Sequence, residues 1–214
     1  MKIINSKTYD SQYEKYNRLV STDKLKCYYK KALFNTLVEL KPRFCLEIGT
    51  NKGGTAEVFQ NYFDKYEPNG LLVTCDIKKY VDLKHLKNVK QIIVAHHIRN
   101  ISTYHDIKDN ELKYDFSDSV STNVKILKDI NDAYDFAFID GDHTKDSFLK
   151  DVKICETVLK DPKYMLIDDT KEPVHDCSNV YMNEIKTNVA AYECYDFDNW
   201  QQFVGCSLVL KKNF

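Results

Sequence analysis

Long apolar runs are missing from this chain of 214 residues. No stretch approaches the roughly 18 consecutive apolar residues that a membrane-crossing helix needs. Residues 1–10 carry no apolar core of signal-peptide length. The expectation is a cytoplasmic protein with no membrane partner. Glycine and proline are scarce, at 6 and 4 residues, which excludes collagen-like and low-complexity chains. Charge of one sign is lacking too: 31 Lys and Arg against 32 Asp and Glu leave a net charge of −1. That balance gives no global electrostatic grip on nucleic acid, so no nucleic-acid partner is expected. Cysteines in C-x-x-C spacing are absent. The seven cysteines (27, 45, 75, 155, 177, 194 and 206) are odd in number, and Cys45 and Cys75 sit inside apolar runs. Small buried thiols in a reducing compartment are expected rather than a disulfide framework or a zinc site.

What the chain does have is 43% hydrophobic and 13% aromatic residues, enough for a sizeable core. Its length suits one domain of roughly 150–200 residues plus an appendage. Residues 1–40 are polar and rich in tyrosine. Thr22 or Asp23 can cap a helix running to Leu40, with Leu25, Tyr29, Leu33, Thr36 or Leu37, and Leu40 on one face, and Pro42 ends it. This predicts a helical extension over 1–40, acting as a lid over a ligand edge or as a subunit interface in a homo-oligomer, followed by the main domain over 41–214.

From Arg43 onward, strands and helices alternate. Strands are predicted over 44–48, 71–77, 89–95, 134–140, 164–168, 192–197 and 203–210, with helices over 53–66, 119–130, 143–160 and 176–189. Such alternation implies an α/β fold with a Rossmann-like, seven-stranded, mostly parallel sheet and helices on both faces. The last two strands are too close for a crossover helix, so they form a hairpin and one edge strand runs antiparallel. The polar region 96–118 is an excursion above the sheet.

Three of the six glycines lie within six residues, in Glu47-Ile48-Gly49-Thr50-Asn51-Lys52-Gly53-Gly54-Thr55. They fall where the first strand ends and the first main-domain helix begins. Glycine there permits a tight turn and close backbone approach to a ligand, and the helix amides face polar ligand atoms. The spacing is neither the dinucleotide G-x-G-x-x-G nor a Walker loop. Asp76, at the tip of the second strand, suits a pair of ribose hydroxyls. These features alone do not separate a nicotinamide cofactor from S-adenosylmethionine. The closing hairpin favours the latter, because the methyltransferase sheet has an antiparallel last strand.

Two further apolar strands end in acids: Asp135-Phe136-Ala137-Phe138-Ile139-Asp140-Gly141-Asp142-His143 and Tyr164-Met165-Leu166-Ile167-Asp168-Asp169-Thr170. In a parallel sheet both ends reach one edge, so Asp140, Asp168 and Asp169 can converge. Carboxylates that close repel unless a cation or a shifted pKa intervenes, and all-oxygen ligands suit Mg²⁺. Alternatively the acids are separate helix caps, Asp142 capping the helix near His143. A metal held there can orient a substrate hydroxyl and lower its pKa, with His143 accepting the proton. His96, His97, His105 and Asp106 form a second, weaker cluster, better suited to touching cofactor or substrate than to holding zinc.

On these residues the chain resembles the class I S-adenosylmethionine-dependent methyltransferases. More narrowly, it resembles the metal-dependent O-methyltransferases related to macrocin O-methyltransferase and the cephalosporin hydroxylase family. The resemblance covers about residues 40–211. It implies that Glu47, Gly49, Gly53 and Gly54, with Thr50 and Asn51 between them, line the methionine part of the cofactor, and that Asp76 holds the ribose. It implies Mg²⁺, or another divalent cation, on Asp140, Asp168 and Asp169, and His143 as general base. Where that family has Gly-Asp-Ser near the adenine, this chain has Ser117-Asp118-Ser119, which assigns Asp118 and Ser119 to the cofactor. The expected activity is O-methylation of a small-molecule hydroxyl. A nucleotide-linked or glycan sugar is the first substrate class and a catechol-like diol the second. A methyltransferase scaffold that binds without catalysing is the rival from another class.

Overall fold

The computed structural model describes residues 29–76, 81–94, 113–114, 120–171, 175–197 and 205–212. Its strands are β1 (Phe44–Ile48), β2 (Leu71–Asp76), β3 (Val89–Val94), β4 (Lys113–Tyr114), β5 (Tyr134–Ile139), β6 (Leu159–Asp168), β7 (Tyr192–Asp196) and β8 (Cys206–Lys211). Its helices are α1 (Tyr29–Leu40), α2 (Gly54–Tyr66), α3 (Val120–Ile130), α4 (Lys145–Val158) and α5 (Asp176–Val180), the last continuing as a π-helical turn over Tyr181–Ile185. The strands form one sheet in the order β4-β3-β2-β1-β5-β6-β8-β7. The seven predicted strands are present. The eighth, β4, is a two-residue pairing with β3 inside the polar excursion.

The central strands read as unbroken apolar runs because both faces of the sheet are covered. Alternate residues go to opposite sides. Leu46, Val73, Ala137, Ile139, Met165 and Ile167 pack with α3, α4 and α5. Cys45, Leu72, Phe136, Phe138 and Leu166 pack with α1 and α2. Ala56, Phe59 and Phe63 of α2 are fully buried, as their helical spacing predicted, and so are Leu33 and Leu37 of α1. The described part of the N-terminal extension therefore shares the core of the α2 face. Thr22, Asp23 and Leu25 lie outside the described residues. The six described cysteines are all free thiols, five of them buried.

The predicted antiparallel edge strand is corrected in position. The antiparallel strand is β8, and it lies inside the sheet, pairing with β6 on one side and β7 on the other. The edge belongs to β7, which runs parallel to β6. Composition explains the choice. Leu208 and Val209 of β8 are buried and require cover, whereas Tyr-Glu-Cys-Tyr-Asp of β7 is only partly buried, a pattern that suits an edge. The last predicted helix also ends early, at Ile185 rather than at residue 189. Asn188 takes over the backbone there, accepting the Ala191 amide on Oδ1 at 3.2 Å and on its carbonyl at 3.0 Å, and such side chains compete with helix.

Asp135 fastens the opposite end of the sheet. Its Oδ2 accepts the amides of Arg43 at 2.9 Å and Phe44 at 2.7 Å, and Oδ1 meets Lys160 Nζ at 2.7 Å. Burial raises its pKa, but the Lys160 ammonium and the two amides outweigh burial and hold the carboxyl below its usual range. A depressed folded pKa contributes stability above the unfolded value of about 3.9, and that contribution is lost as pH falls through the folded value. Asp135→Ala is expected to lower unfolding stability by about 1–3 kcal/mol at pH 7, mostly from the two stranded amides, since the exposed ion pair adds little. Urea titrations at pH 7 and pH 3 check this: the gap between wild type and variant should narrow in acid. Equal midpoints at pH 7 would argue against the clamp.

Candidate active site

The carboxyl ends of β1, β2, β5 and β6 meet at one edge of the sheet, where open α/β sheets bind ligands. Gly49 leaves β1 with φ of 101°, and a Cβ there would lie 1.8 Å from the carbonyl oxygen of Asp140. Its amide donates to the Cys75 carbonyl at 2.8 Å, and the Asp140 amide donates to the Ile48 carbonyl at 2.8 Å. Gly53 has φ of 76°, and its Cβ would meet Leu83 Cδ2 at 2.5 Å. At both positions the room that a side chain would need is taken by the protein's own atoms. Gly53 caps α2 with no side-chain hydrogen bond closing the cap, and Gly54 is the first helical residue. Asn51, at φ of 43°, donates its amide to Asp76 Oδ2 at 2.6 Å. The turn after β1 is thereby fixed to the tip of β2.

Beneath the turn lies a buried polar chain. Thr74 Oγ1 donates to Glu47 Oε2, and the hydroxyls of Thr74 and Thr50 lie 2.6 Å apart. Glu47 is fully buried. Burial, opposed by the Thr74 hydrogen bond and reinforced by Asp140 and Asp76, pushes its pKa up to about 8. The side chain is therefore mostly protonated at neutral pH. Thr50 turns its side chain into this chain of hydroxyls, so any cofactor contact it makes falls to its backbone.

The acids of β5 and β6 converge as the sequence suggested. Ile139 pairs with Ile167, which places Asp140 and Asp168 at matching positions one step further on. Asp168 and Asp169 are 7% and 8% exposed. Asp168 Oδ1 is buried with no hydrogen-bond partner among the described residues. Its burial, then the charges of Asp140 and Asp169, drive its pKa well above the ordinary carboxylate range. Asp169 turns out of the strand with φ of 55° and presents Oδ2 to His143 Nε2 at 3.0 Å, with Asp140 Oδ1 at 3.9 Å from the same nitrogen. The neighbouring carboxylates, Asp140 first and then Asp169 and Asp142, raise the pKa of His143 above its usual value against the opposing effect of burial.

Asp142 does not cap the following helix. It accepts the Thr144 amide and hydroxyl at 3.2 and 3.1 Å, and Thr144 is the N-cap of α4. Sequence reasoning missed His175, whose ring centroid lies 4.4 Å from that of His143. It stands in a polar stretch without a motif, and its one signal is that it directly precedes the α5 helix. Asp118 and Ser119 lie outside the described residues, as do His96, His97, His105 and Asp106.

A glycine turn after β1, an acid at the tip of β2, acids at the tips of β5 and β6 and an inserted antiparallel β8 together define a methyltransferase of the class I S-adenosylmethionine-dependent fold. The chain belongs to the methyltransferase-domain family, which residues 46–170 match. No curated protein matches it in sequence. Among solved structures it is similar to cofactor-bound Rv0187 from MTB, with TM-score 0.61 and 13% identity over 89% of this chain and 82% of that one. The O-methyltransferase from Bacillus cereus in complex with SAH is similar with TM-score 0.58 and 14% identity over 99% and 94%. The MycE methyltransferase of the mycinamycin biosynthetic pathway, in complex with Mg, SAH and mycinamycin VI, is similar with TM-score 0.58 and 12% identity over 88% of this chain and 50% of that one. At such identities the likeness establishes the fold.

Proposed function

We propose that this protein is a Mg²⁺-dependent O-methyltransferase that takes its methyl group from S-adenosylmethionine and methylates a hydroxyl of a small molecule, a sugar of the nucleotide-linked or glycan kind. The observation that carries the reading is His143 Nε2 held 3.0 Å from Asp169, beside Asp140 and the buried, unpartnered oxygen of Asp168, on the edge that also carries Asp76 and the glycine turn.

The residues present fit both cofactors. Glu47, Gly49, Thr50, Asn51, Gly53 and Gly54 surround the methionine end, and Asp76 takes the ribose hydroxyls. Asp140, Asp168 and Asp169 offer hard oxygen donors whose mutual repulsion a divalent cation relieves. That ion, when bound, holds the acceptor hydroxyl and makes it more acidic. MycE, crystallised with Mg and SAH, supports the pairing. His143 takes the acceptor proton. The sulfonium methyl is already activated, so alignment and deprotonation are the remaining work of the chain. The extension over residues 1–40 covers the cofactor edge or joins copies of the chain. Helix α1 already lies on the same sheet face as Glu47 and Asp76.

Asp76→Ala is expected to weaken S-adenosylmethionine binding by about 1–3 kcal/mol, because buried ribose hydroxyls lose a charged acceptor. Calorimetry checks it, and equal affinity would remove the ribose assignment. The function itself is tested by offering nucleotide sugars and catechols with labelled cofactor, with and without Mg²⁺. Transfer to a catechol alone would replace the sugar, and transfer to no hydroxyl acceptor would contradict the reading.

A further inference from the structure

His143, Asp169 and His175 bring one ligand atom each to within 4.8 Å of one another. Two imidazoles and a carboxylate are a donor set unlike the oxygen-only set of Asp140, Asp168 and Asp169. Nitrogen donors favour first-row transition cations over Mg²⁺, which selects oxygen. We propose that His143, Asp169 and His175 form a second cation site, selective for Zn²⁺ or a similar transition ion, which shares Asp169 with the Mg²⁺ set. Occupancy of this site by Zn²⁺ engages the ring nitrogen of His143 and withdraws it as a base, so the two ions act in opposition. The binding site stands on geometry alone. Only its inhibitory consequence rests on the function proposed above.

The site is held together by the fold. His175 is the N-cap of α5, its carbonyl accepting the Ser178 hydroxyl at 2.7 Å. The amide of Cys177 donates to the carbonyl of His143 at 3.0 Å, which fastens the start of α5 to the loop after β5 and keeps the two rings close, tilted at 57° with centroids 4.4 Å apart. Asp169 reaches them because its left-handed φ of 55° takes it out of the β6 register that Asp168 keeps. A tetrahedral ion with bonds of about 2.0–2.2 Å needs ligand atoms roughly 3.4 Å apart. His143 and Asp169 already stand at 3.0 Å, and no two ligand atoms of the set are more than 4.8 Å apart, so separations need to change by at most about 1.4 Å to reach that geometry.

Co²⁺, a coloured stand-in for Zn²⁺, is titrated into the full chain without cofactor or acceptor. The expected result is one saturable equivalent with the intense visible absorption of low-coordinate cobalt, displaced stoichiometrically by Zn²⁺ and retained in millimolar Mg²⁺. In His175→Ala the affinity should fall more than about 100-fold, beyond the 10–100-fold typical of partners that merely orient a ligand. In His85→Ala, which removes an exposed histidine of another loop, it should not change. Absence of a saturable equivalent in the wild-type chain overturns the proposal, and so does wild-type affinity in a folded His175→Ala. Because no methyl transfer is measured, failure of the O-methyltransferase reading would leave this result untouched.

Discussion

His143→Ala is expected to slow methyl transfer by about 10²–10⁴-fold, the usual loss on removing a general base, while S-adenosylmethionine binds as before. The imidazole stands 3.0 Å from Asp169 and 3.9 Å from Asp140. The three acids remain in the variant and can still take the ion. The acceptor hydroxyl is then oriented but has no side chain to receive its proton. Raising the pH should partly restore the rate, because solvent hydroxide substitutes for the missing base. Turnover and bound Mg²⁺ measured on the same preparation separate the roles. A variant that loses the ion would make His143 a ligand of the catalytic metal, and a variant with the wild-type rate would end its role as base.

Gly49→Ala is expected to lower stability by about 3–5 kcal/mol, in the far tail of single substitutions. Two effects coincide there. The backbone sits at φ of 101°, and the added carbon would lie 1.8 Å from the Asp140 carbonyl oxygen and 2.5 Å from its carbonyl carbon. Neither atom belongs to a movable side chain, so β1 and β5 must part where they are hydrogen bonded. Gly53→Ala provides the contrast. Its Cβ meets the mobile tip of Leu83, so the left-handed backbone penalty of about 1–2 kcal/mol should dominate. Denaturant midpoints for both variants check the difference. Gly49→Ala as stable as Gly53→Ala would show that the tips of β1 and β5 separate more easily than their packing implies. Because the clash falls on Asp140, any folded Gly49→Ala should also bind Mg²⁺ more weakly.

The sheet was legible because its strands are buried on both sides. Cys45-Leu46-Glu47 and Phe136-Ala137-Phe138 are continuous buried runs, and helical spacing separates them cleanly from Ala56, Phe59 and Phe63. The convergence of Asp140, Asp168 and Asp169 followed from parallel strands ending at one edge. The place of β8 did not follow, because a hairpin shows that two strands are antiparallel without showing which one pairs inward. The glycine turn was found from its spacing, but the contacts that demand glycine were not. Sequence shows that Gly49 and Gly53 need space, and only packing shows that Asp140 and Leu83 occupy it. His175 was invisible because its partner, His143, lies 32 positions away across the β6 crossover, and no local spacing marks such a pair. The π-helical turn over Tyr181–Ile185 has no local sequence signal either. It places Tyr181 and Lys186 together on Asp196, a tertiary contact.

The central claim is that the acids at the tips of β5 and β6 hold a divalent cation needed for transfer and not for cofactor binding. Its most direct test is labelled-methyl incorporation into an accepted sugar by the chelator-treated protein as Mg²⁺ is added back, with S-adenosylmethionine affinity followed by calorimetry on the same samples. The account predicts background incorporation in chelator, recovery with added Mg²⁺, no recovery in Asp169→Asn, and cofactor affinity largely unchanged throughout. Undiminished incorporation in chelator would contradict it and leave Asp140, Asp168 and Asp169 as structural acids.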